Sequence, residues 1–106
     1  MTPRIRTILA DLRGRLEALY GDRLAGLVLY GSQARGDAEP DSDVDVLVVL
    51  RGEVAPGQEI ERSGDIVSEV SLRNRAVVSC VFVSDERYRR EWTPLLSNVR
   101  REGVPV

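Results

Sequence analysis

A small α/β domain, with a mixed β-sheet flanked by helices in the order α-β-β-α-β-α, is the fold class that this 106-residue sequence predicts. Three observations carry that reading. Apolar side chains recur at helical spacing between residues 5 and 20. Residues 24–30, 44–50 and 76–83 are apolar runs of strand length. Residues 57–74, between the second and third of those runs, return to a helical pattern. A chain this long supports one core, so residues 1–106 are expected to form a single domain.

Each element has a local reason. Thr2 is the expected N-cap, with Pro3 at the first helical position, where its missing N–H costs nothing. Ile5, Ile8, Leu9, Leu12, Leu16, Leu19 and Tyr20 then form one stripe, and Gly21 ends a helix over residues 3–20. Residues 24–30 form a strand, and residues 31–36 a small-residue turn that opens a short helix. Glu39-Pro40-Asp41-Ser42 is loop, because proline removes a donor and restricts the residue before it. Residues 44–50 are apolar on both faces, as expected of a central strand covered on both sides. After the connection from Arg51 to Gly57, Pro56 can open a helix that carries Ile60, Val67 and Val70 on one side. Residues 76–83 give the third strand. Ser84 or Asp85 caps a short helix to about Trp92, which Pro94 interrupts. A last helical turn or two, Leu95 to Arg101, stops at Gly103 and leaves Val104-Pro105-Val106 extended. The sequence shows no internal repeat, low-complexity segment or linker.

Composition narrows the chemistry. Hydrophobic residues make up 42% of the chain, and no apolar run approaches the roughly 20 residues of a membrane span. Met1-Thr2-Pro3-Arg4 begins no apolar signal stretch, so a cytoplasmic location without membrane contact is expected. Cys80 stands alone within an apolar run and reads as a buried thiol acting as a small hydrophobe. There is no histidine, which excludes Ser-His-Asp and Cys-His catalysis. Carboxylates, hydroxyls, arginine and a hard cation are left to carry any reaction. The net charge of -2 gives no reason to expect direct nucleic-acid binding. All 15 basic residues are arginine. Five acids crowd residues 37–45, and five arginines lie in residues 87–101 against Glu91. Tyr88 and Trp92, within that basic segment, read as packing residues.

The most informative stretch is residues 31–45. Gly31 and Ser32 follow directly on the first strand and can offer backbone N–H groups and a hydroxyl to phosphate oxygens. Asp43 and Asp45 lie two apart where the second strand begins, so both carboxylates point to one face, roughly 6.5–7 Å apart along the chain. That suits Mg²⁺, which takes one or two carboxylates and completes its shell with phosphates and water. Other phosphate and metal motifs fail on spacing. Gly31 and Gly36 have P-loop spacing, but Asp37 and Ala38 stand where Lys and Ser/Thr are needed. An EF-hand loop starting at Asp37 lacks its glycine (Ser42) and its final glutamate (Val48). Gln33 breaks a dinucleotide fingerprint.

The residues do fit Gly-Ser, ten residues, Asp-x-Asp, here Gly31-Ser32, residues 33–42, Asp43-Val44-Asp45. This resembles the DNA polymerase β-like nucleotidyltransferase superfamily, and the Gly-Ser-x-Ala-Arg-Gly and Ser-Asp-x-Asp wording is similar to its minimal nucleotidyltransferase branch. The resemblance runs from about residue 4 to residue 102 and includes the closing Pro-Leu-Leu-Ser-Asn-Val-Arg-Arg-Glu-Gly. It implies that Gly31 and Ser32 bind the triphosphate of ATP, and that Asp43 and Asp45 hold two Mg²⁺ ions and are catalytic together with Ser32. Arg35 has two readings, a phosphate contact or an ion pair with Asp37 or Asp41. Gln33 reads as a turn residue only.

The resemblance also implies a third carboxylate on the following strand. Residues 76–83 contain none, and Ser79 is the polar residue in that position. Asp65 and Glu69 precede the strand and read as solvated helix acids, while Asp85 lies too far along. The missing acid predicts that a nucleotide and metal are held while transfer is weakened. Proteins of this branch act as antitoxins with a HEPN-domain ribonuclease toxin. The resemblance therefore implies transfer of AMP to a tyrosine hydroxyl of such a partner, within a hetero-oligomer. The alternative is a nucleotide-binding module that neutralises its partner by contact alone.

Overall fold

A computed structural model describes residues 1–39 and 41–106; of the expected 39–42 loop, Pro40 lies outside the described residues. Helix α1 (Pro3–Tyr20) starts as expected, with the Thr2 hydroxyl accepting from the Ile5 N–H at 3.2 Å and Pro3 in the first turn. A short 3-10 turn, Gly21–Arg23, leads into β1 (Leu24–Tyr30). Helix α2 (Ser32–Arg35) follows at once, then β2 (Val44–Leu50), α3 (Pro56–Asn74), β3 (Val78–Ser84), α4 (Asp85–Arg90), α5 (Pro94–Glu102) and β4 (Val104–Pro105).

The four strands form one sheet in the order β3-β2-β1-β4. β1 runs antiparallel to both β2 and β4, while β2 and β3 run parallel and are joined through α3. A parallel pair cannot close with a tight hairpin, so a helix-length crossover is required. Alternation along β2 then separates two cores. Val44, Val46, Val48 and Leu50 face α1 and α3, where Ile8, Leu9, Leu12, Leu16 and Val70 meet them. Leu47 and Val49 face the other way, against Leu96 and Val99 of α5. This two-sided cover explains why β2 reads as a continuous apolar run.

Several expectations need correction. Ile60 is 57% exposed, because the buried side of α3 begins instead with Glu59 and Ser63. Leu19 is exposed at the edge of the α1 stripe. β3 starts two residues later than expected: Arg75 closes α3 at φ +50, and the Ala76 N–H is still bound to the Ser71 carbonyl at 3.0 Å. Pro94 does not interrupt a helix but begins α5, with the Thr93 hydroxyl capping the Leu96 N–H at 3.2 Å. The extended C-terminal residues form a fourth strand, in which Pro105 is tolerated at the sheet edge. Tyr88 packs beside Val49 and Val83, but Trp92 is 72% exposed and lies over the Arg100 guanidinium.

Candidate active site

The site gathers at one end of the sheet, on the face covered by α5. Register fixes it: Tyr30 of β1 pairs with Asp45 of β2, and Asp45 pairs with Ser79 of β3. Paired residues in neighbouring strands project to the same face, so Tyr30, Asp45 and Ser79 form a row across three strands. Asp43, one pleat earlier and exposed, shares that face. The Val44 N–H donates to the Val77 carbonyl at 2.8 Å, which extends the parallel ladder to the residue between the two aspartates.

The Gly-Ser turn leans on Asp45. Gly31 sits at φ +74, and a Cβ placed there would fall 2.5 Å from Asp45 Oδ2. Only glycine satisfies both the left-handed conformation and that close approach. The Gly31 carbonyl accepts from the Ala34 and Arg35 N–H groups at 3.1 Å each, turning the chain into α2 at once. Ser32 and Gln33, as the first residues of that turn, have no intrahelical acceptor for their own N–H groups. Gln33 does more than turn the chain. Its Nε2 donates to the Ser42 carbonyl at 3.2 Å, and the Glu39 N–H donates to Ser42 Oγ at 2.9 Å, so the loop before Asp43 is tied to α2.

Electrostatics single out Asp45. Burial, and then the charge of Asp43, push its carboxyl above the ordinary aspartate range, with Arg35 pulling in the opposite direction. Tyr30 is raised as well, by burial first and then by Asp45. Two neighbouring carboxylates, one of them raised by burial and by the other's charge, are a fit for a hard divalent cation. Among the described residues no cluster of three or more His, Cys, Asp or Glu side chains occurs.

Arg35 pairs with Asp37 (Nε to Oδ2, 3.2 Å) and with Glu102 of α5 (Nη1 to Oε2, 3.3 Å); Asp41 is not among its partners. Glu102 was not singled out by its sequence neighbourhood, because only the return of β4 onto β1 brings it beside the turn. Asp65 and Glu69 are excluded as a third acid by geometry. They lie on α3, across the sheet from Asp45, and Glu69 is engaged by Arg15 at 2.9 Å. Asp85 follows Ser84, which pairs with Leu50 at the far end of β2. Ser79 is exposed beside Asp45, with no carboxylate on its strand. Cys80 points to the other core and acts as the expected small hydrophobe, burial pushing its thiol up to about 12.

Comparison with known proteins identifies the family. The family described as nucleotidyltransferase domain matches residues 9–97. The chain belongs to that family. The archaeon Methanocaldococcus jannaschii has a relative named putative protein adenylyltransferase MJ0141, 32% identical over 100 residues, covering 93% of this chain and 95% of the relative. Among solved structures, this nucleotidyltransferase shares its fold with a toxin–antitoxin crystallised with AMP-PNP (TM-score 0.63, 18% identity, 90% of this chain and 69% of that one). It shares it also with a protein described as a putative minimal nucleotidyltransferase (TM-score 0.60, 24% identity, 96% and 95% covered). The α/β fold with a mixed sheet is thus that of the nucleotidyltransferases, and no helix among the described residues is long and apolar enough to cross a membrane.

Proposed function

We propose that residues 1–106 form a single minimal nucleotidyltransferase domain that transfers AMP from ATP to a tyrosine hydroxyl of a HEPN-domain toxin, acting as its cytoplasmic antitoxin. The observation that carries the reading is the close approach of Gly31, at the start of the Gly-Ser turn, to Asp45, which brings that turn beside the Asp43–Asp45 pair. In this reading Gly31, Ser32 and Arg35 hold the triphosphate, and Asp43 and Asp45 hold Mg²⁺. Bound there, Mg²⁺ supplies charge neutralisation at the phosphates and acidification of the acceptor hydroxyl. The tyrosine oxygen bonds to the α-phosphorus, the bond to the β-phosphate oxygen breaks, and pyrophosphate leaves. Relatives named as protein adenylyltransferases and a toxin–antitoxin neighbour support a protein acceptor.

Labelled ATP, Mg²⁺ and a HEPN-domain toxin encoded beside the gene test the reading. Label should appear on the toxin with the wild-type chain and vanish with Asp43→Ala. Absence of label in both would end the enzyme reading.

A second reading has its own observation, the lack of any carboxylate on β3, where Ser79 faces Asp45. In it the domain binds nucleotide weakly or idly and neutralises its partner by contact in a hetero-oligomer. Neutralisation in cells by Asp43→Ala/Asp45→Ala would favour contact over chemistry.

A further inference from the structure

We propose that Glu102 is a positioning residue for nucleotide binding, which together with Asp37 clamps Arg35 so that its free Nη2 group is presented to the phosphates. This rests on the nucleotide reading above and adds to it a residue from the far end of the chain, 67 positions from Arg35.

A guanidinium carries five N–H donors in a planar fork. In Arg35 the Nε–H goes to Asp37, and one Nη1–H goes to Glu102. Among the described residues no hydrogen bond engages Nη2, so both of its N–H groups stay open between the two held nitrogens. A planar fork held on two sides recognises phosphate with less ordering cost than a freely rotating one.

Glu102 is itself fixed in place. Its Oε1 lies 3.7 Å from Arg101 Nη2, while Oε2 takes Arg35. The next residue, Gly103, has no room for a side chain: a Cβ there would meet the Val99 carbonyl and fall 2.5 Å from Val28 Cγ1. β4 then pairs Val104 with Leu29, and the Val106 N–H donates to the Leu27 carbonyl at 2.9 Å. The chain leaving α5 is thus pinned to β1 just where β1 delivers Gly31. Ion pairs this exposed add little stability, so Glu102 matters chiefly through where it holds Arg35.

The test is AMP-PNP binding in Mg²⁺ buffer by calorimetry, on the full chain, in a double-mutant cycle. Glu102→Ala should weaken binding about tenfold, Glu102→Gln should recover part of the loss, and Glu102→Ala on top of Arg35→Ala should add less than about twofold. In turnover with a protein acceptor the KM for ATP should rise with kcat nearly unchanged, and the thermal midpoint should stay within about 2 °C of wild type. Wild-type binding that Glu102→Ala leaves unchanged or tightens would overturn the proposal alone. So would an equal loss in the Arg35→Ala background. No binding by the wild-type chain would overturn the nucleotide reading, and this proposal with it.

Discussion

Glu59 and Asp45 are two carboxylates drawn out of bulk water at opposite ends of one sheet, and their surroundings differ in kind. Glu59 is 3% exposed and fully partnered: the Tyr20 hydroxyl donates to it at 2.9 Å, and Arg62 and Arg23 lie 3.4 and 3.5 Å away. That network closes the end of the sheet where α1 stops and α3 begins. Asp45 sits against a glycine turn and beside a second aspartate, with Arg35 turned to other acids. A buried charge with complete partners serves stability, whereas one left short of positive charge is suited to a ligand that brings it.

The largest effect expected from breaking this contrast is at the unpartnered end. Asp43→Ala or Asp45→Ala should lower nucleotide transfer by at least about 10³-fold in a labelled-ATP assay, with folding intact by circular dichroism. At the other end the outcome should invert. Glu59→Ala leaves the Tyr20 hydroxyl buried without its acceptor, and should cost about 2 kcal/mol in urea unfolding while the folded fraction keeps its nucleotide affinity.

The contrast can also be sharpened. Ser79 occupies the register position across from Asp45, and Ser79→Asp would place a third carboxylate in the row. If transfer is limited by that missing acid, the variant should raise the rate about tenfold at saturating Mg²⁺, measured as label incorporated per minute. No gain would shift the weight toward neutralisation by contact.

How much of this was legible in the sequence follows from the range of the interactions. The helix over 3–20, the strands flanking the turn and the two aspartates depend on neighbours within a few residues, and their periodicity and spacing carry them. The facing of Ser79 toward Asp45, anticipated only through the family resemblance, depends on a parallel register set across α3, and the Arg35–Glu102 pair on a C-terminal strand of two residues. Neither leaves a local signal. Ile60 misled because Glu59, a charged residue, takes the buried place on α3 once Tyr20 supplies a partner. Pro94 misled in another way: the same residue that breaks a helix begins one when a threonine precedes it.

The smallest effect expected is on stability at Asp45 itself, and its sign separates function from folding. The folded carboxyl is raised above its ordinary value of 3.8, so the native state holds the proton more tightly than the unfolded chain does. Stability therefore falls as pH rises from that ordinary value through the raised one, and stays lower above it. Asp45→Asn removes both the charge and its repulsion by Asp43. The variant should match wild type near pH 3 and exceed it by about 2–4 °C in Tm at pH 7. Adding Mg²⁺ and AMP-PNP should reverse that order, because ligand binding raises the wild-type Tm and leaves the variant where it was. If Asp45→Asn were less stable than wild type at pH 7 without ligand, Asp45 would belong with Glu59 as a structural acid, and the contrast between the two ends of the sheet would fail.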